Sequence, residues 1–329
     1  MEKMNLSVVI ITRNEQNNIK SCVESVLSEV VTCCAQWEII ISDSDSADCT
    51  VQSAMCYPVR IIEVRGTHLS AALGRHVGLM HSNYPYVLFL DGDMELRKGF
   101  IEKAYSYLEQ DRGVAGVVGQ RDDIIYDNGH IVGHIENVYD IQEIGECRHF
   151  GGAFLARSDV VRKVGSYDIH MFSNEEPELH SRLMMAGYKV LEIPEPMVVH
   201  HDGRGKINRK SRISTIFNKR YLGLGRGLRV SLIHNSSRWY LKRTIEFVFP
   251  ITIDIVSILI VCFLWSLGSA MTITLIGLQI SNLLFCYLIG KLKRFLQSKV
   301  LLPYFILGAL IPLPNIEYTV KQVKAVTDR

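Results

Sequence analysis

Four short apolar runs, each ending in a polar cluster, constrain this chain more than any other feature of its sequence. Leu6–Ile11 (LSVVII) is continuously apolar, the pattern of a parallel strand covered on both faces. It ends in Thr12-Arg13-Asn14-Glu15, after which Ile19, Cys22, Val23, Val26 and Leu27 recur at helical spacing. Trp37–Ser42 (WEIIIS) leads into the polar run Asp43–Asp48. Val59–Val64 (VRIIEV) precedes a helical stretch from Ser70 to Met80, and Tyr86–Leu90 (YVLFL) stops at Asp91-Gly92-Asp93. Strands and helices alternating at these lengths specify a doubly wound, mostly parallel α/β sheet. Ligands of such sheets bind beyond the carboxyl ends of the strands, where Thr12–Glu15, Asp43–Asp48 and Asp91–Asp93 all fall. A binding site is therefore expected there.

Asp91-Gly92-Asp93 carries chemistry of its own. Two carboxylates separated by one small residue at a strand end suit a hard divalent cation, Mg²⁺ or Mn²⁺, that bridges a diphosphate. The same residue types also make ordinary turns. Register with two other polar strand ends favours the metal reading.

The formal net charge of +2 conceals a division of the chain. Residues 1–203 carry 17 Lys and Arg against 30 Asp and Glu; residues 204–329 carry 19 against 4. Between Arg204 and Arg243 stand 12 basic residues and no acidic one. Two apolar stretches follow, Phe247–Gly268 with Asp254 as its sole charge and Ala270–Gly290 with none. Each is about 20 residues, enough to span a hydrocarbon core of about 30 Å. They are expected to form a transmembrane hairpin linked at Gly268-Ser269. A third apolar segment, Val300–Pro314, is 15 residues long with three prolines, and is expected to be re-entrant or interfacial.

Basic residues flank both spans, with Lys291, Lys293, Arg294 and Lys299 after the second, so both flanks are expected to be cytoplasmic. Ile213, Ile216, Phe217, Leu224 and Leu228 interleave with Arg and Lys as in a basic amphipathic helix lying on anionic lipid headgroups. Gly223, Gly225 and Gly227 are expected to break that helix in two. No aromatic-rich RNA motif or helix-turn-helix supports a nucleic-acid partner. Met1-Glu2-Lys3-Met4 runs straight into a strand, so no signal peptide is expected. The eight cysteines include the neighbours Cys33-Cys34 but no Cys-x-x-Cys, and are expected to be reduced. The plan that results is an α/β domain over 1–203, a basic membrane-interface region over 204–246, and a membrane hairpin with a third segment and tail over 247–329. Its expected place is the inner (plasma) membrane, with the N-terminal domain cytoplasmic.

The motifs resemble those of the family 2 glycosyltransferases, inverting enzymes of GT-A fold that use nucleotide-activated sugars. The resemblance rests on Val8–Ile19 (VVIITRNEQNNI), Ile40–Thr50 (IISDSDSADCT), Ser70–Gly78 (SAALGRHVG) and Val87–Asp93 (VLFLDGD). It continues through Gly151–Ala156 (GGAFLA), Glu175–Val190 (EEPELHSRLMMAGYKV) and Val198–His201 (VVHH). These blocks cover residues 5–201 in the family's order. The resemblance implies that Thr12 and Glu15 line a nucleotide pocket, that Asp43 reads the base, and that Arg75 is a basic residue near the nucleotide. It implies that Asp91 faces ribose and metal, that Asp93 ligates the metal, and that His200 or His201 adds a metal or phosphate ligand. The catalytic base of the family is the second acid of a Glu-Asp pair, here Glu175-Glu176, with Glu175 and Glu178 as possible substitutes. Asp45 stands where the family usually has Gly, which implies a different loop shape.

The function expected is transfer of a sugar from a nucleotide-sugar donor, UDP-linked, to a hydroxyl of a lipid-linked or envelope glycan, with Mg²⁺ or Mn²⁺. A polyprenyl-phosphate sugar synthase is the alternative; its acceptor is already ionised, so Glu175-Glu176 speaks against it. A processive polysaccharide synthase would carry Gln-x-x-Arg-Trp, which Asn235–Trp239 (NSSRW) imitates poorly. A membrane scaffold that merely binds nucleotide has no need of Asp91, Asp93 and Glu176 together.

Overall fold

All four apolar runs are strands of a single sheet. In the computed structural model, which describes residues 3–148, 150–203, 222–263, 269–288 and 293–324, they are β1 (Met4–Thr12), β2 (Cys34–Asp43), β3 (Arg60–Gly66) and β4 (Tyr86–Asp91). Val8, Val9, Ile10, Ile40, Ile41, Leu88 and Phe89 are wholly buried, as strands covered on both faces must be. The connecting helices are α1 (Ile19–Cys33), α2 (Thr50–Ala54) and α3 (Ala71–Met80). Ser70 starts α3 by accepting the Leu73 N–H on its hydroxyl oxygen. The strands lie in the order β3-β2-β1-β4 and pair in parallel. Their register sets Thr12 opposite Asp43 and Ile11 opposite Asp91. The winding reverses at β1, and a crevice opens at its carboxyl end.

Beyond β4 the sheet becomes mixed. There follow β5 (Met94–Leu96), α4 (Phe100–Gln110), β6 (Val114–Asp127), β7 (His130–Ile135), β8 (Gly145–Glu146) and β9 (Phe154–Arg157). Next come α5 (Ser158–Lys163), α6 (Glu175–Met185) and β10 (Lys189–Asp202). Strand β9 runs antiparallel between β4 and β6, and β10 runs parallel to β6. The far edge matters most for the site: β10 pairs with β5, placing His200 opposite Met94, and the His201 N–H donates to the Asp93 carbonyl at 2.8 Å. Residues more than 100 apart in sequence thus meet at one strand end.

The C-terminal part comprises α7 (Leu222–Ile233), α8 (Ser237–Phe263), α9 (Ser269–Leu288), α10 (Lys293–Leu310) and β11 (Tyr318–Lys324). Three expectations change here. Gly223, Gly225 and Gly227 do not break a helix; they lie inside α7 and let neighbours approach it. A Cβ on Gly225 would stand 2.0 Å from the Phe305 carbonyl oxygen, and one on Gly227 2.2 Å from the Tyr240 hydroxyl. The third apolar segment is longer than expected: α10 begins at Lys293, runs through Pro303 and packs on α7 and α8. The tail is not an appendage either, because β11 pairs antiparallel with β3, Tyr318 facing Gly66.

Among the described residues no helix is long and apolar enough to cross a membrane. The outer surfaces of α8 and α9 are nevertheless apolar: Leu259, Ile280 and Leu288 are 61%, 59% and 73% exposed. Between the helices polar groups meet one another. Ser298 donates to Asp254 at 2.7 Å, Gln279 donates to Ser257 at 3.1 Å, and Asn282 donates to the Pro250 carbonyl at 3.1 Å. Arg204, Lys206, Ile213, Ile216, Phe217, Gly268, Gly290 and Lys291 lie outside the described residues.

Candidate functional site

A cavity of about 320 Å³ fills the crevice at β1, lined by Thr12, Glu15, Ser44, Leu69, Ser70, Asp91 and Asp93, among others. Thr12 forms its wall and donates through its hydroxyl to Asp43 at 2.8 Å. Asp43 is wholly buried behind that wall, and also accepts the Ser46 N–H at 2.9 Å and the Ser46 hydroxyl at 2.6 Å. The loop after β2 turns through Asp45 at φ 55°. That left-handed conformation is the one glycine adopts freely and Asp tolerates, so the turn keeps the geometry a glycine would give it. Asn14, itself at φ 60°, straps this loop to β1: its backbone N–H donates to Ser46 and its side-chain oxygen accepts the Ala47 N–H, both at 2.8 Å. Glu15, half-buried, has its carboxyl pushed up by burial and by Asp93 and Asp91, against a 2.8 Å hydrogen bond donated by Asn18.

Arg75 is the electrostatic centre of the site. It is 2% exposed, and its guanidinium meets Asp91 at 2.8 Å, Glu175 at 2.8 Å and Glu176 at 3.5 Å. Tyr167 lies under it, the guanidinium carbon 5.3 Å from the ring centroid. Burial opposes the charge of Arg75, but Asp91, Glu176, Tyr167 and Glu175 outweigh it and raise its pKa further. Burial likewise raises the pKa of Asp91 against the pull of Arg75. Arg75 therefore joins the strand-end acids to the helix-start acids of α6; it does not project into the cavity.

Glu175 and Glu176 open α6 behind Asn174, which adopts φ 59°. Both sit in the first turn, where unsatisfied N–H groups favour negative charge. Glu175 is the more firmly held, 8% exposed along its side chain against 16% for Glu176. Burial, then the neighbouring Glu175, push the Glu176 carboxyl up to about 8. Glu178 cannot substitute for either: it is wholly buried and pairs with Arg182 through both oxygens, at 2.7 and 2.5 Å.

Asp93 and His200 form the remaining corner. His200 Nε2 stands 3.3 Å from Asp93 Oδ2, and its Nδ1 is 3.0 Å from Asp123 and 2.9 Å from Arg121. Asp93 Oδ1 is buried without a hydrogen-bond partner among the described residues. Such an orphaned oxygen, next to an imidazole and below an anion-sized cavity, fits a hard divalent cation, so the residues present suit the metal. Among the described residues, no three His, Cys, Asp or Glu side chains converge closely enough to hold an ion on their own. His201 faces the opposite side of β10, against Glu95 and Tyr126 at 3.0 Å each, and does not join Asp93.

Several contributors escaped the sequence reading. Asp123 and Arg121 share one face of β6 at i, i+2 spacing and orient His200, an arrangement that alternation on a strand could have suggested. Tyr167 carried no signal, since nothing local marks it as the floor under Arg75. The Gly151-Gly152 pair did: a Cβ on Gly152 would lie 1.9 Å from Asp91 Oδ2. Gly152→Ala is expected to displace that pinned carboxylate and lower stability by about 1–3 kcal/mol, as overpacking does. Urea unfolding of the full chain in detergent measures it; an unchanged midpoint would show that Asp91 moves aside freely.

Residues 7–170 match the family model described as "Glycosyl transferase family 2". Glycosyltransferase AglE from Haloferax volcanii is 25% identical over 194 residues, covering 56% of this chain and 63% of that protein. The pre-mycofactocin glycosyltransferase from Mycobacterium tuberculosis is 26% identical over 211 residues, covering 59% of this chain and 42% of its own length. The chain thus spans less than two thirds of the curated relatives it matches. Among solved structures, the mannosyltransferase PcManGT from Pyrobaculum calidifontis, in complex with GDP-Man and Mn²⁺, superposes with a TM-score of 0.59. The match covers 94% of this chain and 88% of that one at 12% identity, a likeness of fold.

Proposed function

Since residues 7–170 belong to glycosyl transferase family 2, we propose that the chain is a metal-dependent, inverting glycosyltransferase acting from a UDP-sugar on a hydroxyl of a lipid-linked or envelope glycan. One observation carries the reading: a single buried cation, Arg75, holds the strand-end acid Asp91 and the helix-start acids Glu175 and Glu176 around one site. A nucleotide pocket and a proton acceptor are thereby held at a set separation.

In this reading Thr12, Glu15 and Asp43 belong to the nucleotide side, with Asp43 placed through Thr12 and the Ser46 turn. Asp91 and Asp93 face the ribose and diphosphate. Asp93, with His200 beside it, would hold Mg²⁺ or Mn²⁺, and Asp91 would face the same ion. The bound metal neutralises charge on the departing nucleoside diphosphate. Glu176 takes the proton of the acceptor hydroxyl, whose oxygen attacks the anomeric carbon from the face opposite the nucleotide, inverting its configuration. A carboxyl raised above its usual range is a stronger base once ionised, which suits an alcohol more than an already ionised phosphate acceptor.

The helices after residue 203 anchor the domain to the cytoplasmic face of the inner membrane, where anionic lipids attract the basic stretch. Polar pairing inside α8, α9 and α10 with apolar side chains outside supports bilayer insertion, since lipid leaves inward pairing as the way to satisfy such groups.

Asp93→Asn tests the enzyme reading. Nucleotide-sugar turnover with Mn²⁺ is expected to fall about 10²- to 10³-fold, and Mn²⁺ binding read by paramagnetic relaxation to weaken with it. Metal-independent turnover in the unaltered protein, or an unimpaired variant, would overturn the reading.

A further inference from the structure

Outside the acidic site, one charge lacks an answer. Arg226 on α7 is 5% exposed, and its Nε and Nη1 have no hydrogen-bond partner among the described residues. Its guanidinium carbon lies 5.3 Å from the centroid of Phe172, in the segment that leads into Asn174, Glu175 and Glu176. One turn earlier on the same helix, Gly223 abuts that segment: a Cβ there would stand 2.0 Å from Ser173 Oγ and 2.9 Å from the Asn174 side-chain nitrogen. On the opposite flank Gly308 brings α10 against α7, a Cβ on it lying 3.0 Å from the Arg226 backbone nitrogen. Arg226 is thus held between α10 and the approach to the proposed base.

A buried guanidinium with unpartnered nitrogens and no counter-charge is strongly unfavourable in proteins generally. Among the described residues no carboxylate pairs with Arg226. Asp168 is bound by His170 and His234, at 2.9 and 2.7 Å, and Glu178 by Arg182. The sequence from Arg204 to Arg243 supplies no carboxylate at all. Burial and Arg229 both disfavour the charge of Arg226, while Arg229 itself is taken up by the carbonyls of Leu310 and Ile311, at 2.9 and 3.0 Å. A forked donor, dry on most sides and with a π face beneath it, matches a phosphate group.

We infer that Arg226 is the seat of a lipid-borne phosphate, positioned so that the rest of the molecule reaches Glu176. The inference rests on the glycosyltransferase reading and extends it: the acceptor carries its phosphate on α7, away from the carboxylates that would repel it, and offers its hydroxyl at α6. Arg226 binds and does no chemistry.

The test uses the full chain in detergent, with farnesyl monophosphate as a soluble lipid phosphate and nanodiscs of phosphatidylglycerol as a headgroup source. Arg226→Met is expected to weaken farnesyl phosphate binding about 10- to 100-fold, with Arg226→Lys in between. UDP with Mn²⁺ is expected to bind wild type and both variants alike. Without ligand, Arg226→Met should melt higher than wild type, because it removes an unanswered buried charge. Weakened binding to the nanodiscs alone would still support the phosphate site and assign it to membrane headgroups. The inference is overturned if both phosphate sources bind Arg226→Met as they bind wild type, or if that variant melts lower, as a structural arginine would require. Failure of wild type to bind UDP with Mn²⁺ would instead sink the glycosyltransferase reading, whatever Arg226 does.

Discussion

Arg75→Met is expected to destabilise the protein by about 3–5 kcal/mol at neutral pH, the usual result of removing one partner from a buried ionic cluster. Three acids face the lost guanidinium, so the loss leaves Asp91 and Glu175 without their counter-charge beside Glu176 in a poorly solvated site. The effect has a definite pH signature. Without the cation, the folded-state pKa values of Asp91 and Glu176, already raised by burial, rise further above their unfolded values. Groups of that kind take up protons on folding, so their penalty is complete above the folded pKa and vanishes as pH falls to the unfolded range. The gap between wild type and variant should therefore be narrow near pH 4.5 and widen as pH rises, reaching its full size only above pH 8. Urea unfolding in detergent at several pH values measures it. A gap that is small, or the same at every pH, would mean that Arg75 does not hold the cluster together.

Glu176→Gln tests the chemistry with little change of shape. Turnover is expected to fall about 10²- to 10⁴-fold, the span associated with a general base, while the Michaelis constant for the donor changes little. In wild type the rate should climb with pH as Glu176 ionises and level off above about 8, since burial and Glu175 hold its carboxyl in the protonated form below that point. The Gln variant should lose that rising limb. Glu176→Asp, which keeps the carboxylate on a shorter arm, should retain a measurable rate and the limb with it. A Gln variant with the wild-type profile would move the base to Glu175 or away from α6 altogether.

The parts of this molecule legible in the sequence were those with a local cause. Val8–Ile11, Ile39–Ile41 and Leu88–Leu90 read as doubly covered strands because each is apolar without interruption, and Thr12 and Asp91 fell at strand ends because polar residues stop such runs. What the sequence could not disclose depended on partners far along the chain. Asp123 reaches His200 only because β6 and β10 align in parallel, a pairing that bulges shift several times along its length. Arg75 was expected beside the nucleotide; its place beneath three acids depends on α6 folding back over the sheet. Glu178 looked equivalent to its neighbours in sequence, yet lies on the inward side of the helix, where Arg182 one turn later encloses it. The three glycines of α7 look like helix breakers because in water they would be; against Ser173, α10 and Tyr240 they are the residues that allow contact.

The return of β11 to the sheet has a mechanical consequence. The helices leave the α/β domain after β10 and come back to it through β11, which pairs with β3 and meets Gly66 just before the loop that holds Leu69 and Ser70 at the cavity. A domain on one tether can swivel and bob above its anchor. One that is moored fore and aft cannot, so the cavity mouth keeps a constant height and heading over the helices. Any substrate that arrives along those helices would meet the same geometry at every encounter, with no docking motion needed between the two halves of the molecule.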